Sequence, residues 1–121
     1  MKTAFPYWRE RIAPVFETAR HFLVIDCREG VIVAEEELCF ADDDGLLRVR
    51  GLVEWQVAAV VCGALSRPLH HLLVDGGIRV IPFVAGDLRQ VVEAWRLGRL
   101  DRQSFAMPGC RRRRGRFRGA V

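Results

Sequence analysis

Apolar residues recur with strand-like spacing in three early stretches of the chain, AFPYW (4–8), HFLVIDC (21–27) and GVIVAEEELCF (30–40). The last two are separated by Arg28 and Glu29 leading into Gly30, a joint that predicts a hairpin. The period then changes. Leu46, Val49, Leu52 and Val53 follow helical spacing behind Asp42, Asp43 and Asp44, whose carboxylates suit a helix start as cap oxygens and as negative charge. Gly51 weakens this helix slightly. The uninterrupted run VAAVV (57–61) predicts a central strand covered on both faces. Ser66 as cap, Pro68 in the first turn and Gly76-Gly77 at the end frame a second helix. IRVIPFV (78–84) reads as a further strand. Asp87 then caps a last helix with Leu88, Val91, Val92 and Trp95 on one face, closed by Gly98.

Strand, helix, strand, helix with short joints predicts right-handed crossovers and parallel pairing. Joined to the early hairpin, it predicts a single α/β domain whose mixed sheet of about five strands carries helices on both faces. A length of 121 residues, half of them hydrophobic, supplies enough core without disulfides or metals. The four cysteines, Cys27, Cys39, Cys62 and Cys110, are far apart, which suits neither a disulfide scaffold nor a zinc ribbon. The longest apolar runs are far shorter than a membrane span and no export signal opens the chain, so a cytoplasmic protein without membrane attachment is expected.

Charge divides the chain. Six arginines lie between 111 and 118, and no acid follows Asp101. Residues 1–109 hold 13 basic against 15 acidic residues, so the net charge of +4 belongs to the end of the chain. The expected organisation is a folded domain over 1–109 and a flexible arginine-rich tail over 110–121.

Candidate chemistry gathers after the run at 57–61, because open α/β sheets bind ligands beyond the carboxyl ends of their strands. Cys62 and Gly63 stand there. The glycine allows close backbone approach, free N–H groups of the helix opening at Ser66 favour an anion, and Arg67 adds a charged donor. A thiol so placed is expected to have a lowered pKa and to serve as a soft metal ligand. The competing reading makes Cys62 a small packed residue at a strand end. Cys27 and Cys39, inside the hairpin strands, are expected to be packed. His70 and His71 point about 100° apart on a helix and do not share a metal. His21 precedes a strand without a distinctive context, and Glu35, Glu36 and Glu37 alternate across another. No serine–histidine–aspartate set, phosphate loop or zinc spacing is present, so no enzymatic activity is expected.

The stretches KTAFPYWRERIAPVFETARHFLVID, VVCGALSRPLHHLLVDGGIRVIPFVAGDLRQVVEAWRLGRL and FAMPGC together resemble the dinitrogenase iron-molybdenum cofactor biosynthesis family, over nearly the whole chain up to Cys110. The resemblance implies a ribonuclease H-like three-layer fold and a non-enzymatic role in binding or carrying an iron–sulfur or iron–molybdenum cluster, or its precursor, held transiently. Cys62 and Cys110 would be thiolate ligands, with Gly63, Ser66 and Arg67 supplying donors. Cluster donor or acceptor proteins, or a second copy of the chain, are the partners implied. Two features depart from the family pattern. Val15-Phe16-Glu17 stands where many members have His-Phe-Gly, and Arg111 follows Cys110 where many have a second cysteine. The alternative function is an interaction module that docks a protein and uses the arginine tail to bind nucleic acid or an acidic protein.

Overall fold

The computed structural model describes residues 1–100 and 105–107. Cys110 and the arginine-rich segment lie outside the described residues, as does the expected boundary between domain and tail. In chain order the elements are β1 (Lys2–Trp8), β2 (Arg11–Ile12), β3 (His21–Arg28), β4 (Val31–Cys39), α1 (Gly45–Glu54), β5 (Ala59–Val61), α2 (Arg67–Asp75), β6 (Arg79–Ile81) and α3 (Leu88–Arg96).

The six strands form one mixed sheet in the order β4-β3-β1-β5-β6, with β2 paired to β1. The β3–β4 hairpin and the β1–β3 pair are antiparallel, whereas β1–β5 and β5–β6 are parallel. Alternation along the strands divides their side chains between two cores. On one face Ala4, Phe22, Val24 and Val60 pack with Val49 and Leu52 of α1 and Leu69 and Leu73 of α2. On the other, Phe5, Leu23, Ile25 and Val61 pack with Leu88, Val91 and Val92 of α3. Helices therefore cover both faces. Burying one Leu or Val side chain completely contributes about 1.5–3 kcal/mol, so each helix is held mainly by this stripe.

The expected capping is realised at two helices. Asp44 accepts from the Leu46 N–H, and Asp87 from the Gln90 N–H. Ser66 occupies the cap position of α2, but its hydroxyl makes no capping bond. Strands β5 and β6 are shorter than their apolar runs. Val57 is still tied to α1 through its N–H to the Leu52 carbonyl, so β5 begins at Ala59. β6 ends at Ile81 because Pro82 has no N–H and Phe83 turns to a φ of 63°. The two-residue β2 carried no periodic signal and forms when Arg9, at a φ of 58°, folds the chain back on β1.

Arg48 is wholly buried within α1, which the hydrophobic pattern did not foretell. Its guanidinium donates to the carbonyls of Ala19 (2.8 Å), Asp44 (2.9 Å) and Asp42 (2.6 Å), and lies 5.0 Å from the Phe40 ring centre. Burial lowers its pKa, and the neighbouring Asp42, Asp43 and Asp44 oppose that shift. The residue ties the β4–α1 connection to the segment that precedes β3. Among the described residues no helix is long and apolar enough to cross a membrane.

Candidate functional site

Three loops meet beyond the carboxyl ends of the parallel strands, where open α/β sheets place ligands. The segment after β2 joins the loop after β5 through Phe16 N–H to Ala64 O (2.8 Å) and Ala64 N–H to Pro14 O (2.8 Å). The loop after β6 joins it through Phe83 N–H to Gly63 O (3.0 Å) and Val84 N–H to Cys62 O (2.9 Å). Val15, Ser66, Arg67 and Phe83 are exposed on this end of the molecule. Phe83 holds its left-handed backbone conformation while accepting at its carbonyl from the Met107 N–H. Non-glycine residues adopt that conformation only at a cost, and such strain gathers where loops serve ligands.

Cys62, Gly63, Ser66 and Arg67 do come together here, but Cys62 and Gly63 are buried and only Ser66 and Arg67 are exposed. Cys62 is 0% exposed and belongs to the core on the α1–α2 side of the sheet. Burial, assisted by the charge of Glu17, pushes its thiol up to about 12. The expected lowering of this pKa is thus reversed, because desolvation outweighs any help from the nearby helix start. Gly63 is required for a different reason from ligand approach. A Cβ on it would stand 2.5 Å from Pro14 O and 2.6 Å from Ala13 O, so the close neighbour is the chain's own backbone. The Ser66 N–H is not free for an anion, since it donates to Glu17 Oε2 at 3.0 Å. The other oxygen, Glu17 Oε1, is buried without a hydrogen-bond partner among the described residues. Arg67 alone of the four projects a charge outward.

A second constellation escaped the sequence reading. His21 opposes Cys39 across β3 and β4, Tyr7 opposes His21 across β1 and β3, and Glu37 lies two residues before Cys39 on the same face. Cys39, expected to be packed, is exposed, as is most of β4, the edge strand of the sheet. Tyr7 donates to Glu37 Oε1 at 2.8 Å, and the same oxygen lies 3.1 Å from His21 Nδ1 and 3.6 Å from Cys39 Sγ. The Tyr7 hydrogen bond holds the Glu37 carboxyl below its usual range. Partial burial, with that carboxylate as neighbour, raises Tyr7 to about 12 and raises Cys39 as well. The group was missed because its members are 7, 21, 37 and 39 in sequence, and cross-strand register alone assembles them. A pairing rule applied to the predicted hairpin would have placed His21 near Cys39, but its register depended on where the turn falls.

The fold has counterparts among solved structures. The chain superposes on the crystal structure of PH0822 with a TM-score of 0.79 at 17% identity, covering 93% of this chain and 98% of that one. A candidate dinitrogenase of Methanocaldococcus jannaschii matches with a TM-score of 0.68 at 17% identity, over 82% of this chain and 90% of that one. The apo form of the orange protein from Desulfovibrio gigas matches at 0.67 and 19% identity, over 81% and 88%. At these identities the likeness establishes the fold. No curated protein matches the sequence significantly. The sequence profile of the family described as dinitrogenase iron-molybdenum cofactor matches residues 1–98 and so spans all six strands, the three helices and the three loops. The chain belongs to the dinitrogenase iron-molybdenum cofactor family.

Proposed function

We propose that the protein is a non-enzymatic carrier of an iron–sulfur or iron–molybdenum cluster, or its precursor, during assembly of a metal cofactor. The observation that carries this reading is the family match across residues 1–98, which includes the three loops joined beyond the carboxyl ends of β1, β5 and β6. The strand order β4-β3-β1-β5-β6, with its antiparallel and parallel halves, supports a ribonuclease H-like assignment for the scaffold.

The cargo would rest on the exposed rim of Val15, Ser66, Arg67 and Phe83, with the Arg67 guanidinium facing the negative charge that sulfide-bridged clusters carry. The floor beneath holds an unpartnered carboxylate oxygen of Glu17 and the protonated Cys62 thiol. A metal atom of the cargo would give the Glu17 oxygen a partner. Thiolate ligation by Cys62 requires the 62–66 loop to separate from Ala13 and Pro14 and the thiol to lose its proton. Cys110 is the other thiol in the proposal and lies outside the described residues. Loops that part to admit a ligand are drawn from the less stable elements of a fold, and these are joined by a few backbone hydrogen bonds.

Anaerobic purification from a metal-replete host, followed by metal analysis and an absorption spectrum, tests the proposal. Iron or molybdenum in stoichiometric amount with a charge-transfer spectrum supports it. Metal-free protein that also fails to take up a preformed cluster anaerobically refutes it. Cys62→Ser then separates ligation from surface docking, since only ligation makes cargo depend on that thiol.

A further inference from the structure

We propose that His21, Glu37 and Cys39 form a binding site for a divalent transition-metal ion, best matched by zinc, on the sheet face that α3 leaves open. This site is separate from the loop rim assigned above to the cluster, and the inference does not rest on that assignment.

The geometry is the first argument. Zinc takes imidazole nitrogen and carboxylate oxygen at about 2.0–2.2 Å and thiolate sulfur at about 2.3 Å, in a tetrahedron. Those bond lengths put neighbouring ligand atoms about 3.3–3.6 Å apart. Here Cys39 Sγ lies 3.5 Å from His21 Nδ1 and 3.6 Å from Glu37 Oε1, and the nitrogen and oxygen lie 3.1 Å apart. The three atoms already outline one face of such a tetrahedron. Small rotations of exposed side chains lengthen the shortest edge.

The donor chemistry is the second argument. One nitrogen, one sulfur and one carboxylate oxygen suit zinc, whereas calcium and magnesium require oxygen ligands. Deprotonated Cys39 and Glu37 supply two negative charges, which neutralise a divalent cation. The thiol proton, which points to Glu37 in the metal-free protein, leaves to solvent. Tyr7 donates to Glu37 Oε1 and would steady that carboxylate, as groups bonded to metal ligands commonly do.

Access completes the case. The side chains of His21 and Glu37 are 39% and 47% exposed, so an ion reaches them without unfolding. Three protein ligands leave a fourth position open. Tyr7 and Glu37 also line a groove of about 450 Å³, whose wall carries Glu10, Glu35 and Glu36 beside Arg9 and Arg89, from which a water would fill that position. Arg89 is held by Glu35 at 3.1 Å and so does not neutralise Glu37 directly.

Competition of the full-length, reduced, metal-free protein with a chromophoric zinc chelator tests the site, with cobalt(II) as spectroscopic substitute. One equivalent should bind, with a thiolate-to-cobalt charge-transfer band and tetrahedral ligand-field bands. Cys39→Ser should abolish the charge-transfer band, and His21→Gln should weaken zinc binding by about 100-fold. Tyr7→Phe, which removes a group bonded to a ligand, should weaken it by about 10-fold. Cys27→Ser should leave binding unchanged. Zinc should also protect Cys39 of the unmutated protein from alkylation, a readout that needs no variant to fold. Absence of a stoichiometric zinc complex, retention of the cobalt band in Cys39→Ser, or loss of it in Cys27→Ser would overturn the proposal. Cluster uptake at the loop rim is unaffected by any of these results.

Discussion

Native-state alkylation should rank the cysteines by burial, with Cys39 fast and Cys62 slowest. The perturbation is a small thiol reagent at pH 8, and the magnitude follows from the structure. With a pKa of about 12, Cys62 is ionised to about one part in 10⁴ at that pH, against roughly a quarter for an ordinary cysteine. The greater nucleophilicity of a high-pKa thiolate recovers about 30-fold of this deficit. Ionisation alone then slows Cys62 by about 10². Opening the loop relieves the burial of this thiol and the raised pKa with it, and a few kcal/mol of opening slows that route by ~10² in its own right. Cys39 carries a smaller penalty, since its raised pKa reflects only partial burial and the neighbouring Glu37. Cys62 should therefore label about 10²-fold more slowly than Cys39, read by mass spectrometry of each cysteine peptide over time. The same raised value has a stability consequence. Only the unfolded chain ionises this thiol between about pH 8.5 and 12, so its contribution is intact below that window and fades as pH rises through it. Cys62→Ala should flatten that decline. Labelling of Cys62 within tenfold of Cys39 would refute the buried-thiol account and restore Cys62 as an accessible ligand.

Gly63→Ala should destabilise by about 3 kcal/mol, because the new methyl meets two backbone carbonyls that cannot swing aside; an unchanged urea midpoint would show that the 13–17 segment moves freely. Arg48→Met should cost about 3–4 kcal/mol, since three carbonyls lose a charged donor and the Ala19 carbonyl is not reached by water; a loss below 1 kcal/mol in urea unfolding would contradict the role assigned to the guanidinium. Deleting residues 111–121 should leave the melting temperature unchanged while removing salt-sensitive binding to a polyanion, because the remaining chain has a net negative charge; retained binding in a filter assay would place the polyanion surface elsewhere.

Local signals determined the elements that the sequence could reveal. Asp44 and Asp87 sit at caps because a short carboxylate reaches the N–H groups of the first turn, and this depends on nothing distant. The apolar periods of 46–53 and 88–95 likewise marked helices before any partner was known, although in the first only Val49 and Leu52 reach the core while Leu46 and Val53 stay exposed. The loop after β5 was legible as a site position because strand–helix order dictates which end of a parallel sheet the loops occupy. What tertiary structure decided was the environment of each side chain. Cys62 looked available from its neighbours in sequence, yet Phe16, Leu69 and Leu73 close over the core that contains it, and desolvation then sets its pKa. Gly63 and Ser66 face the chain's own 13–17 segment, a contact spanning 49 residues between Ser66 and Glu17. Cys39 reversed in the other direction, because a strand's exposure depends on whether another strand pairs beyond it, and β4 lies at the sheet edge. The His21–Glu37–Cys39 group exists only in the register of β3 against β4, where a slip of one residue would send its members to opposite faces.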